Sequence, residues 1–317
     1  MNLRLFAQYS VIFRRQLRRK LVSRLVPCPL CGSAAHSLIC KSPNVHMAVF
    51  RGIFAERVVR CNGCGFVFTN PRPTAKALER YYTDDYTLEG LSVPKSLDEF
   101  LGDSHKEIWF SKDRDFRLIS QRKSSGHLLD IGCASGTLLW LAKQKGFSVH
   151  GVEVGRHSVE FVSAVLGIEV FCGQLEDARF PDSSFDVVTM FHSLEHVPNP
   201  RRVVREVRRI LADSGVLIVV VPNYSAWSSQ KHGANWTWLQ PQNHYSHFTP
   251  KSLRHLLARE GFSCELRCEE GRYGDSEIRK SYSESEVSRL FAELKGSELV
   301  AFASPSCSVS GPSPEGG

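Results

Sequence analysis

The chain shows no secretory leader and no internal repeat, and its first 26 residues contain no acidic side chain. Ten cysteines in 317 residues do not suggest a secreted disulfide scaffold, and with no secretory signal visible a reducing cytoplasm is the expectation. The missing acids locate the charge. Arg4, Arg14, Arg15, Arg18, Arg19, Lys20 and Arg24 lie in this segment, and removing these seven from the 40 basic residues leaves as many bases as the 33 acids. The net charge of +7 is therefore an N-terminal feature, and the neutral body argues against a protein that tracks a polyanion. The segment is too polar to span a bilayer, although Phe6, Tyr9, Phe13, Leu17 and Leu21 form an apolar stripe at helical spacing. Two readings stand side by side: a helix on an anionic membrane surface or a docked partner, and a helix packed on its own protein.

A dinucleotide-binding G-x-G-x-x-G is missing too. In its place, Leu128-Leu129-Asp130-Ile131-Gly132-Cys133-Ala134-Ser135-Gly136-Thr137-Leu138-Leu139 reads as a buried strand, a glycine-cornered turn and the start of a helix. That arrangement brings backbone N–H groups and a helix N-terminus up to a ligand. The next strand, Ser148 to Glu153, ends in a carboxylate that can accept both hydroxyls of a ribose. On these residues the chain resembles the class I S-adenosylmethionine-dependent methyltransferases. Their first motif, acid-x-Gly-x-Gly-x-Gly, appears as Asp130 to Gly136, with Ala134 at the family's central glycine. The resemblance implies S-adenosyl-L-methionine as cofactor, held by Asp130, Gly132, Cys133, Ala134, Gly136 and Glu153, with Phe191 beside its methionine part. Gln174 falls where the family usually places an acid against the adenine amine, and Leu175 would then cover the ring.

Cys28-Pro29-Leu30-Cys31-Gly32 and Cys61-Asn62-Gly63-Cys64-Gly65 are two C-x-x-C-G knuckles. Together Cys28, Cys31, Cys61 and Cys64 supply the four thiolates of a closed, structural Zn2+ site, whereas a redox dithiol usually comes as one pair. His36 and Cys40, between the knuckles, read as spare. The exit Phe66 to Pro73 and the tyrosine-rich Tyr81 to Tyr86 resemble methyltransferases that carry an N-terminal zinc ribbon and act in bacterial glycan, nucleotide-sugar and natural-product pathways. The expected organisation is a basic amphipathic helix (1–26), a zinc ribbon (27–75), a helical cap or linker (76–125), a methyltransferase domain (126–303) and a disordered Ser/Pro/Gly-rich tail (304–317). The fold class is α/β: a doubly wound, mostly parallel, seven-stranded Rossmann-like sheet bearing a small zinc ribbon. Strands are expected near 127–131, 148–153, 168–172, 185–191 and 215–221, with helices near 136–145, 156–166, 199–213 and 250–260. A sixth strand starts at Gly261-Phe262, and Glu298 to Ala303 pairs as the seventh.

Tyr224 to Thr249 reads as a long loop without regular pattern, rich in aromatics, leaving the carboxyl end of a central strand. It suits a sugar, a ring or another organic acceptor, or else a lid packed over its own core. Asn243 to Pro250 resembles a segment of sugar C-methyltransferases in which two histidines follow a tyrosine. The histidines fall on His244 and His247, while the tyrosine position is Asn243 and the further C-terminal domain of those enzymes is not expected here. A general base is therefore sought at His244, His247 or His192, since an imidazole titrates near neutral pH. His196 reads as a satisfied neighbour of Glu195. The expected function is methyl transfer from S-adenosylmethionine to a small organic or sugar-type acceptor. An RNA methyltransferase gripping RNA with the ribbon, and a catalytically silent scaffold, are the alternatives.

Overall fold

Short knuckles, Val-rich strands and amphipathic helices follow one another along the sequence, and in the computed structural model each becomes an element of its own. The structure describes residues 23–42, 56–73, 93–103, 106–241, 243–269 and 275–306. Most of the basic first helix and the stretch Tyr81 to Tyr86 lie outside the described residues. The N-terminal part comprises β1 (Ser23–Arg24), β2 (His36–Ser42), β3 (Glu56–Cys61), β4 (Val67–Thr69) and β5 (Arg72–Pro73). Two helices follow, α1 (Leu97–Leu101) and α2 (Lys106–Ser120), whose Phe100, Leu118 and Ile119 share a core cluster with Leu128 and Val187 of the main sheet.

From Gly126 the chain winds as β6 (Gly126–Ile131), α3 (Thr137–Gln144), β7 (Phe147–Glu153), α4 (Arg156–Val165), β8 (Glu169–Cys172), α5 (Leu175–Ala178), β9 (Phe185–Phe191), α6 (Pro200–Ile210) and β10 (Leu211–Pro222). After the lid come α8 (Pro250–Arg259), β12 (Phe262–Glu269), α9 (Asp275–Ser281), α10 (Glu284–Ala292) and β13 (Glu298–Pro305). The seven strands order as β12-β13-β10-β9-β6-β7-β8, with β13 antiparallel to both neighbours and the other described pairings parallel. Central strands covered on both faces must be apolar throughout, and Leu128, Leu129, Val187, Val188, Leu217, Ile218 and Val219 are fully buried. Each such side chain contributes about 1.5–3 kcal/mol relative to exposure. Helix α6 buries Val203, Val204, Val207 and Ile210 along one stripe, and Asn199 caps it by accepting from Arg202 N at 3.2 Å.

Three differences from the sequence reading matter. Helix α6 stops at Ile210 because Leu211 already pairs with Phe185 of β9. Strand β13 runs through Ser304 and Pro305, which pair with Ser263 and Phe262, so the tail begins later than 304. The loop 224–249 is not patternless: it holds α7 (Trp227–His232) and a two-residue strand, β11 (Ser246–His247). That strand completes the N-terminal sheet, whose order is β11-β4-β3-β2, so the lid is stitched to the ribbon.

Candidate active site and cysteine centre

Strands β6 and β9 flank the point where the sheet's winding reverses, and α/β sheets bind ligands outside the carboxyl ends of such strands. There the backbone takes left-handed φ at Gly132 (+82°), Ala134 (+49°) and Gly136 (+74°). A Cβ on Gly132 would lie 2.8 Å from the Ser193 Cβ, and one on Gly136 would lie 2.8 Å from Val162. Neither position admits a side chain. Ala134 adopts the conformation that glycine takes without strain, and its N–H donates to Glu153 Oε2 at 2.9 Å, while Gly155 N donates to Oε1 at 2.8 Å. The carboxylate at the end of β7 thus braces the turn and keeps lone pairs for further donors.

Five carboxylates, those of Asp115, Asp130, Glu153, Glu195 and Glu298, are buried around this end of the sheet. Asp130 accepts from Thr189 Oγ1 at 2.7 Å. Burial, opposed by Lys112 and the Thr189 bond and aided by Asp115 and Glu153, raises the Asp130 carboxyl to about 6. Burial also raises Glu153, against its backbone donors. The cations facing them are Lys112, 3.0 Å from Asp115, Arg114, 2.9 Å from Glu298, and His192. Buried carboxylates at this end fit a cofactor carrying a sulfonium and an ammonium group, while the turn N–H groups and Glu153 fit its polar nucleoside part. At the next corner Gln174 is exposed and Leu175 is buried in the core; Cys133 and Phe191 are buried beside the turn.

His192 sits one residue beyond β9 with φ +53°, a strained conformation of the kind that persists at functional sites. Its Nδ1 is 3.6 Å from Glu195 Oε1 and its Nε2 is 3.3 Å from Glu298 Oε1. Its ring lies flat against Trp238, centroids 5.9 Å apart at 18°. Burial disfavours the imidazolium, but Glu298 and Glu195 outweigh it and lift the ring to about 9. His244 and His247 are set differently. Both are 4% exposed, and burial holds both near 3. His244 donates from Nδ1 to Trp238 O at 2.8 Å. His247 lies on β11, its Nε2 3.1 Å from Thr69 Oγ1. Trp236, Tyr245 and Phe248 are buried as well, half of the loop's six aromatics, while Trp238 lies against the site.

The cysteine knuckles bring Cys28, Cys31, Cys61 and Cys64 together, every ligand atom within 4.8 Å of the others. Cys28 Sγ is 3.6 Å from Cys64 Sγ, and Cys31 Sγ is 3.4 Å from Cys61 Sγ. Four thiolates about 2.3 Å from one zinc ion require sulfur spacings close to these. Gly32 (φ +81°) and Gly65 (φ +76°) close the two turns by donating to Cys28 O and Cys61 O at 2.8 and 2.9 Å. Against the push of burial, N–H groups of Cys64 and Gly63 and the neighbouring thiols hold Cys61 at about 7, while burial raises Cys28. Cys40 and His36 stay outside the cluster.

Arg72 escaped the sequence reading. It is 3% exposed and donates to Thr69 O, Pro198 O and Tyr245 O at 3.3, 2.6 and 3.2 Å, joining the ribbon exit, the turn after β9 and the lid. Glu298, Lys112 and Arg114 were missed as well, because only the folded sheet brings β13 and α2 to the end of β9.

Residues 110–266 match the family model described as a methyltransferase domain. The chain therefore carries an α/β methyltransferase domain of the S-adenosylmethionine-dependent class. It is 28% identical to ajmaline N-methyltransferase of Rauvolfia serpentina over 106 residues, 31% of this chain and 36% of that protein. It is 33% identical to the ubiquinone biosynthesis O-methyltransferase of Pseudomonas aeruginosa over 104 residues, 30% of this chain and 44% of that protein. The chain thus spans less than half the length of these relatives. Among solved structures, a SAM-dependent methyltransferase from Archaeoglobus fulgidus aligns with TM-score 0.46 and 20% identity, covering 65% of this chain and 96% of that one.

Proposed function

We propose that the protein transfers a methyl group from S-adenosyl-L-methionine to a small organic or sugar-type acceptor, such as a glycan, nucleotide-sugar or lipid-linked precursor. The observation that carries this reading is His192, strained at the end of β9, between two buried carboxylates and flat against Trp238 of the lid. An aromatic wall with a few convergent polar groups suits an organic ring or sugar. The cofactor supplies an electrophilic methyl group; this chain's residues position the acceptor, exclude water and receive its proton. His192 is the proton acceptor of this reading in its neutral form, which gains population as pH rises toward about 9, while Glu298 and Glu195 stabilise the imidazolium that results. His247 instead holds the lid, because its Nε2 is already engaged by Thr69.

The four cysteines hold a structural Zn2+ in the same proposal, since all four ligand positions are protein sulfur and none remains for substrate. The alternative of RNA methylation is served by the basic first residues, but the neutral body does not favour it. A tritiated-methyl transfer assay on fractionated host extract, separating glycans, lipids, small metabolites and RNA, tests the proposal. Label in a sugar, lipid or small-metabolite fraction supports it; label confined to RNA, or transfer to no fraction, overturns it.

A further inference from the structure

Glu195 is 1% exposed, and neither of its carboxylate oxygens has a hydrogen-bond partner among the described residues. The nearby His192 Nδ1 stands at 3.6 Å, beyond hydrogen-bond length. The His192 imidazolium meets this anion at a distance but bonds neither oxygen, so among the described residues both stay open to a cation that approaches directly. Two imidazoles converge on the same place: ring nitrogens of His196 and His244 and a Glu195 oxygen all lie within 4.8 Å of one another. The rings meet edge to face with centroids 4.7 Å apart.

The tautomers follow from the carbonyls. His196 Nδ1 is 3.1 Å from Asn243 O, and His244 Nδ1 is 2.8 Å from Trp238 O. A carbonyl oxygen only accepts, so Nδ1 carries the proton in both rings and the lone pair is left on Nε2. Metal-ligating histidines are oriented in this way, one nitrogen donating to a carbonyl and the other facing the ion.

We propose that Glu195, His196 and His244 bind a divalent transition-metal ion of the zinc type. Two nitrogens and one carboxylate suit such an ion better than calcium or magnesium, which prefer oxygen alone. Three protein ligands leave a fourth position for water or an acceptor oxygen, unlike the closed four-cysteine cluster. Glu195 and His196 belong to the turn after β9 and His244 to the lid, so the ion would fasten the lid beside the reacting groups. The site adjoins the one proposed for methyl transfer but is read by metal uptake, which does not depend on that activity.

The test is titration of chelator-dialysed, full-length protein with cobalt(II), followed by absorption and calorimetry. Cobalt at the cysteines gives sulfur-to-metal charge-transfer bands; cobalt on two nitrogens and a carboxylate gives visible bands without them. The expected result is an equivalent of the second kind whose affinity falls at least about a hundredfold in E195Q and in H244N, since loss of an outer-shell partner alone costs about ten- to a hundredfold. E195Q keeps the shape of the side chain and decides the matter should H244N not fold. Wild-type protein that takes up no equivalent of the second kind, or E195Q that binds it as tightly as wild type, overturns the proposal. Absence of the charge-transfer bands would count only against the cysteine centre.

Discussion

The hydroxyl of Thr69 lies 2.9 Å from His244 O and 3.1 Å from His247 Nε2, so one ribbon side chain binds the lid twice. A hydroxyl has a single proton, which goes to the carbonyl, and the ring must then donate from Nε2. This tautomer puts the His247 ring in a holding role. Thr69→Val keeps the volume and removes both bonds, leaving a buried carbonyl and N–H unpaired. Stability should fall by about 1–3 kcal/mol in denaturant titrations, with faster amide exchange at 244–248. An unchanged midpoint would mean that the seam carries no stability.

The cysteine centre should hold one zinc per chain by elemental analysis. Cys61→Ser should loosen the ribbon and, through β11, the lid, while the main sheet stays folded. Proteolysis confined to the segments 28–73 and 224–249, with far-ultraviolet dichroism largely retained, is the expected outcome.

Glu153→Ala should weaken S-adenosylmethionine binding by about 1.5–3 kcal/mol in calorimetry, the worth of charge-assisted bonds to a ribose. The same variant removes the brace on Ala134 N, so an unchanged affinity in a folded protein would place the nucleoside elsewhere.

Cofactor affinity should also depend on pH through Asp130, whose carboxyl titrates near 6. Its pKa is raised above the unfolded value, so in the free protein its contribution to stability is present at low pH and is lost as pH rises through about 6. A cationic ligand favours the carboxylate, so binding releases a proton there. Affinity should therefore drop by up to about tenfold per unit below pH 6 and level off above it. Asp130→Asn should flatten that profile.

His192→Ala should lower turnover about a hundredfold or more with cofactor affinity unchanged. Near wild-type rates on the true acceptor would move the proton acceptor to another residue.

The fold was largely legible because its strands are mostly apolar runs: Leu128 to Ile131, interrupted by Asp130, Val187 to Phe191, interrupted by Thr189, and Val216 to Val221 read as buried parallel strands and are. The cysteine cluster was legible because C-x-x-C-G fixes the turn locally. The charged surroundings of His192 were not, since Glu298, Arg114 and Lys112 reach it from distant sequence and carry no motif. The lid's structure was hidden for another reason. Ser246 and His247 are too few to show a strand's alternation, and only β4 across from them makes them one. Arg72 could have been flagged as an arginine between two prolines in an apolar exit, but two of its three carbonyl partners lie more than a hundred residues away.

The pairing of β11 with β4 governs how this chain can be cut. A fragment beginning after Pro73 would strip the lid of its strand partner and leave Pro198 O and Tyr245 O without the guanidinium they share. A fragment ending there would bare the edge of Val67-Phe68-Thr69, three buried side chains on a strand left paired with β3 alone, an invitation to aggregate. During synthesis the ribbon edge stays open until residue 247 has been made, so the cysteine sheet is started first and finished near the last.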